Sequence, residues 1–161
     1  MTYIPTPKRT TSTLLFLRRG DELLLARKKR SHGQGKWNGV GGKPEANETI
    51  EHTAVRECQE EIGVTPVVFE AVAELAFYQE PYVDSYSNMD VTVFICTKWE
   101  GEPIETEEMA PKWFKITDIP YKDMWPDDQH WLPPVIDGKF VTGTFMFNDK
   151  YQLTSHNVTA T

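Results

Sequence analysis

The sequence predicts an α+β domain in which a central mixed β-sheet lies between helices, an α-β-α sandwich. Three observations lead there. Seven short runs rich in aliphatic, β-branched and aromatic residues punctuate the chain, with Gly, Pro, Asp and Asn between them. One stretch, Thr49 to Ile62, has apolar residues at helical spacing and is closed by Gly63. A second, shorter helical pattern starts at Asp127. Many strands with one long and one short helix make a layered domain. At 161 residues the chain is sized for a single domain, residues 1–161, with room for a core.

The elements follow in order. Thr13 to Leu17 and Glu22 to Ala26 read as two strands around an Arg19-Gly20-Asp21 turn. Ser31 to Gly42 holds five glycines and reads as a loop, where small residues let backbone approach a ligand. The main helix follows, with Asn47 or Thr49 as N-cap and an apolar stripe of Ile50, Ala54, Cys58 and Ile62. Val67 to Ala76 and Asp90 to Thr97 read as strands, the second so continuously apolar that it belongs in the middle of the sheet. Gln79 to Asn88, between them, is a polar, aromatic-rich loop with Pro81. Lys112 to Lys115 is a short strand, and Thr117 to Pro120 a capped turn. The helix begun at Asp127 is expected to stop at Pro133-Pro134. Lys139 to Phe147 and Tyr151 to Val158 complete the strands.

Composition narrows the function. Hydrophobic residues at 39%, with five Trp, six Tyr and eight Phe, exclude a disordered segment. There is no run of eighteen apolar residues to span a membrane, and Met1 to Thr13 lacks a signal peptide's apolar stretch. Cys58 and Cys96 have neither metal nor redox spacing, so a reduced, cytoplasmic protein is expected. Without an export signal, the sequons at Asn47 and Asn157 are discounted. A net charge of −7 argues against polymeric nucleic acid as partner. The one basic run, Arg27 to Arg30, is either a solvated strand end or a cation source for a phosphate chain.

Glu57, Glu60 and Glu61 carry the chemistry. Helical geometry brings Glu57 against both others, and like charges at that spacing repel by about 0.2–0.5 kcal/mol per pair. A solvated acidic face is the bland account of such a cluster; a bound cation is the functional one. Oxygen ligands without His or Cys select Mg²⁺, with Mn²⁺ as the alternative, over zinc. On a helical wheel Glu57 and Glu61 lie within about 20° of Ile50, at the border of the core face. Glu51 projects near the same stripe, and Arg56 pairs with Glu60 at i, i+4.

The spacing decides between the two accounts. Gly42, Glu48, Arg56, Glu57, Glu60, Glu61 and Gly63 fit G-x5-E-x7-R-E-U-x-E-E-x-G-U, with U bulky and apolar. Seven fixed positions would coincide by chance at roughly one in 10⁸ per start site. Cys58 takes the first U position, as a small hydrophobe can. On this motif the chain resembles the Nudix hydrolases. The resemblance implies the α-β-α sandwich, an enzyme, and a small-molecule nucleotide substrate, with a monomer expected. Glu57, Glu60, Glu61, Glu108 and the carbonyl of Gly41 would be the Mg²⁺ ligands. Glu57 and Glu108 rank almost equally as general base, Arg56 orients the glutamates, and Lys28 contacts phosphate.

Further blocks narrow the likeness: Lys28-Lys29-Arg30, Gly35 to Gly39, Met89-Asp90-Val91, Glu108-Met109, and Lys122 to Asp128 ending on Trp131. Together they resemble the branch that hydrolyses oxidised purine nucleoside triphosphates, such as 8-oxo-dGTP, to monophosphate and pyrophosphate. Trp125 offers a stacking face. Asp127 and Asp128 can donate or accept along a purine edge, and adjacent carboxylates in a dry pocket titrate as a pair; otherwise they are acids at a helix N-terminus. Asn38 both donates and accepts. By resemblance, Thr13, Asn38, Phe77, Met89, Trp125, Asp127, Asp128, Trp131 and Phe147 surround the base, with Gly41 and Gly42 on the approach. Two departures stand out: His32 replaces a pocket Phe, and the Gln79 to Asn88 loop is longer. They favour, as alternatives, another purine triphosphate or a dinucleoside polyphosphate. A non-catalytic nucleotide sensor is the remaining alternative, opposed by the intact glutamates.

Overall fold

The computed structural model describes residues 9–80 and 88–161; most of the expected Gln79 to Asn88 loop lies outside them. The chain runs β1 (Thr10–Arg19), β2 (Glu22–Lys28), β3 (Trp37–Asn38), α1 (Ile50–Ile62), β4 (Thr65–Gln79), β5 (Met89–Glu100) and β6 (Met109–Lys115). Two 3-10 turns, Ile116–Asp118 and Tyr121–Asp123, lead to α2 (Asp128–Ile136), β7 (Val141–Phe147) and β8 (Leu153–Ala160).

The strands form a mixed sheet in the order β3-β2-β1-β5-β4-β7-β8, with β6 paired to β2. The β1–β5 and β4–β7 pairings are parallel and the others antiparallel. As its apolar run requires, β5 is interior, between β1 and β4. Side-chain alternation divides the core. Phe16, Leu23, Leu25, Val91, Val93 and Leu75 pack on α2 through Trp131, Leu132 and Val135. Leu15, Leu17, Leu24, Phe94 and Cys96 pack on α1 through Ala54, Cys58 and Ile62. One helix on each face is the expected sandwich.

The β1–β2 hairpin pairs only next to its turn, at Arg18 with Leu23 and Arg19 with Glu22. Beyond that the strands part, and residues 39–42 enter the split. Leu15 and Val40 exchange backbone hydrogen bonds of 2.6 and 3.0 Å, and the Thr13 amide donates to the Gly42 carbonyl at 2.9 Å. Ser31 to Gly42 is therefore not wholly loop. Glycine permits the insertion: a Cβ on Gly39 would sit 2.8 Å from the Leu15 carbonyl oxygen, and one on Gly41 would overlap that of Thr13.

Thr49 is the N-cap of α1, accepting from the His52 amide at 3.2 Å, and Gly63 ends the helix at φ 71. Two expectations fail locally. The Thr117 to Pro120 turn carries no side-chain cap, because Lys115 occupies the capping position of the 3-10 turn. And α2 does not stop at Pro133-Pro134 but runs through both. The prolines remove amide donors, not acceptors: their carbonyls receive the amides of Asp137 and Lys139 at 3.1 and 3.0 Å. Leu132 and Val135, both buried, hold the last turn on the sheet.

Candidate active site

The last two turns of α1 present the glutamates, and Arg56 organises them. Its Nε and Nη2 bind Glu48 at 2.7 and 2.9 Å, a bidentate fork. Nη1 reaches Glu57 at 2.9 Å and Glu60 at 3.2 Å, and Nη2 also donates to the Lys43 carbonyl at 3.1 Å. Arg56, helped by the Thr53 hydroxyl at 2.7 Å, holds the Glu48 carboxyl down to about 2. One guanidinium thus ties the segment before the helix to its acidic end.

Glu61 differs from its neighbours. It is only 5% exposed, and its Oε2 has no partner. Burial first, then the hydrogen bond to Glu57 and the charges of Glu57 and Glu108, push its carboxyl up to about 9. The Gly41 amide donates to it, and a Cβ on Gly42 would lie 2.5 Å from Glu57 Oε1. The glycines that fill the β1–β2 split therefore bring backbone flush against these carboxylates.

An oxygen-only pair with a buried, unpartnered oxygen fits a hard divalent cation, whose charge would offset the cost of burying the Glu61 carboxylate. Among the described residues, no three Asp, Glu, His or Cys side chains already converge as a cage. Glu60 leans on Arg56, and Glu108 is held by Arg30 at 3.2 Å. Of the five expected ligands, then, Glu57 and Glu61 stand together, with Gly41 meeting Glu61 through its amide and not its carbonyl, while Glu57 and Glu60 both lean on Arg56 and Glu108 on Arg30. Two of the four cations of the basic run bind the same acidic loop: besides Arg30, Lys29 binds Glu105 at 3.3 Å and the Thr106 carbonyl at 2.9 Å.

Beside β1 opens a cleft of about 280 Å³, near the lower end for small-ligand sites and suited to one base. Ten of the expected residues line it: Thr13, His32, Asn38, Phe77, Met89, Trp125, Asp127, Asp128, Trp131 and Phe147. Lys28, Gly41 and Gly42 do not; Lys28 lies close enough to help lower the His32 pKa, a shift owed first to desolvation. The cleft also takes Tyr151, Tyr78, Gln79 and Ser12, which no motif marks.

Asp127 and Asp128 are 4% and 2% exposed. The Trp131 indole donates to Asp127 Oδ2 at 2.8 Å, while Asp128 Oδ2 is buried without a partner. Burial raises the pKa of both, and the charge of Asp127 drives Asp128 well above the usual carboxylate range. Asp127 does occupy the N-cap position of α2, but its side chain makes no capping bond. Of the two, Asp128 holds its proton the more tightly.

A layered sheet with an Arg-clamped glutamate helix and a glycine segment against it is the architecture of a Nudix fold, and the chain belongs to the NUDIX domain family, whose profile matches residues 7–135. It is 39% identical over 146 residues to the oxidized purine nucleoside triphosphate hydrolase of Mus musculus, covering 91% of this chain and 92% of that one. The protein of the same name from Danio rerio is 38% identical over the same length, again covering 91% and 92%. Among solved structures, the MutT protein of Bacillus halodurans superposes with a TM-score of 0.82 at 26% identity, covering 92% of this chain and 97% of that one. No helix among the described residues is long and apolar enough to cross a membrane.

Proposed function

We propose that this protein hydrolyses oxidised purine nucleoside triphosphates of the 8-oxo-dGTP type to the monophosphate and pyrophosphate, clearing the nucleotide pool of bases that would damage DNA. The observation that carries the substrate assignment is the buried Asp127–Asp128 pair at the wall of an aromatic cleft. A neutral acid donates and its ionised neighbour accepts, so together they match a purine edge presenting both kinds of group. The names of the two vertebrate relatives support the same reading.

The phosphates would extend from the cleft along the glycine segment towards α1. When bound at Glu57 and Glu61, Mg²⁺ or Mn²⁺ supplies neutralisation of phosphate charge and a more acidic water. Arg56 holds Glu57 and Glu60 in place, and Glu57 or Glu108 takes the proton of the water that attacks the β-phosphorus. For Glu108 this requires release from Arg30. Lys28, beside His32 at the mouth of the cleft, contributes a cation to the phosphates. Buried, unpaired Cys58 and Cys96 suit a reducing cytoplasm, where the protein acts as a monomer on a small-molecule substrate.

Pyrophosphate release from a panel of oxidised and unoxidised nucleotides with Mg²⁺ tests the proposal. The oxidised purine triphosphates are expected to give the highest kcat/KM. A flat profile would mean general housekeeping hydrolysis, and no release from any nucleotide would mean a sensor.

A further inference from the structure

We infer that Tyr151 is a specificity-determining residue of the base cleft, closing its open side together with His32 so that the cleft favours purine-sized bases. The inference rests on the substrate reading above and adds to it a residue far from the glutamate motif.

Three rings from distant parts of the chain meet at the mouth of the cleft. The His32 ring lies 5.1 Å from Trp125 and 4.9 Å from Tyr151, centroid to centroid, and Tyr151 stands 6.1 Å from Trp125 at 66°. All three line the same cavity. The loop carrying His32 is pressed onto Trp125, since a Cβ on Gly33 would come within 3.2 Å of the indole.

The backbone supports the assignment independently. Three non-glycine residues among those described have positive φ, and two of them belong to or adjoin this cluster: Tyr151 itself at 59°, and Ser31, next to His32, at 67°. That conformation is unfavourable for a bulky aromatic and persists only where surrounding bonds impose it. Here Asn148 imposes it. Its Oδ1 accepts from the Lys150 and Gln152 amides at 2.9 and 3.0 Å, and its carbonyl from the Tyr151 amide at 3.1 Å. Burial of the ring does not account for the arrangement, because Tyr151 remains 47% exposed. The turn between β7 and β8 thus fixes a half-exposed ring at the lip of the cavity, where a ligand would meet it. A base stacked on Trp125 with one edge at Asp127 and Asp128 presents its far side to this lip. A purine, with its second ring, reaches further towards this lip than a pyrimidine does.

The test compares Tyr151→Ala and Tyr151→Phe with the wild type in two measurements. One is nucleotide Kd from tryptophan fluorescence, with divalent cations chelated; the other is KM and kcat with Mg²⁺. For Tyr151→Ala, Kd and KM for an oxidised purine triphosphate are expected to rise about three- to ten-fold. A pyrimidine triphosphate should bind as before, kcat should hold within about two-fold, and Tyr151→Phe should restore wild-type values. Unchanged Kd in Tyr151→Ala, with or without a lower Tm, would overturn the inference, as would equal losses for purine and pyrimidine. Should the wild type fail to hydrolyse oxidised purines, the proposed function falls, while the purine-to-pyrimidine ratio of Kd still decides the role of Tyr151.

Discussion

At the scale of single residues, the base cleft depends on keeping a carboxylic acid neutral. Burial and the charge of Asp127 raise the Asp128 carboxyl, so the native state keeps a proton that the unfolded chain releases above about pH 4. The sign follows. Stability is full at low pH and declines as pH rises from about 4 towards the native pKa, because there the unfolded state gains by ionising. Asp128→Asn keeps a neutral side chain and removes the titration. Its Tm is expected to vary less than that of the wild type between about pH 4 and 7. Thermal melts across that range check this, and equal slopes would mean that native Asp128 is ionised. The two acids were legible as residues: the block from Trp125 to Trp131 placed them beside a stacking surface. Which of them lacks a partner was not, since that depends on where the Trp131 indole points. Tyr151 left no trace in the sequence either, because its position comes from a turn held by Asn148 and not from any spacing.

At the scale of elements, α1 and the glycine segment form one device. Gly41 and Gly42 are adjacent yet serve it differently. A Cβ on Gly41 would meet the backbone of β1, which cannot yield, whereas on Gly42 it would meet the carboxyl end of the Glu57 side chain, which can shift. Gly41→Ala is therefore expected to cost stability, about 1–3 kcal/mol in denaturant melts, as overpacking does. Gly42→Ala should leave the fold near wild type and lower kcat by displacing Glu57. Equal effects of the two on stability would contradict this division. The helix was well marked because local rules specify it: Thr49, Gly63 and the Ile50, Ala54, Cys58, Ile62 stripe act within a few residues. The strand pairing inside Ser31 to Gly42 and the run of α2 through Pro133-Pro134 depend on distant partners. Local composition therefore misled at both.

Across the whole molecule, the sheet separates two tasks. The α1 face carries the glutamates and the α2 face carries Asp127, Asp128 and Trp131, each with its own core. The divergence of β1 from β2 lets residues 39–42 cross between them, so that Thr13 borders the base cleft while the neighbouring Gly41 amide meets Glu61. Fold class and the central place of β5 followed from apolar patterning. The split hairpin did not, because β1 takes its partners from residues about eighty positions later, such as Leu17 with Cys96. Two separate tasks imply separable losses. The most direct test measures kcat/KM for 8-oxo-dGTP and dGTP in the wild type, Glu61→Gln and Asp127→Asn, alongside nucleotide binding. Glu61→Gln is expected to abolish turnover of both nucleotides with the fold and binding kept. Asp127→Asn should selectively weaken turnover of the oxidised purine, by about 1–3 kcal/mol, roughly five- to 150-fold. Near-normal turnover in Glu61→Gln, or equal losses for both nucleotides in Asp127→Asn, would contradict the account.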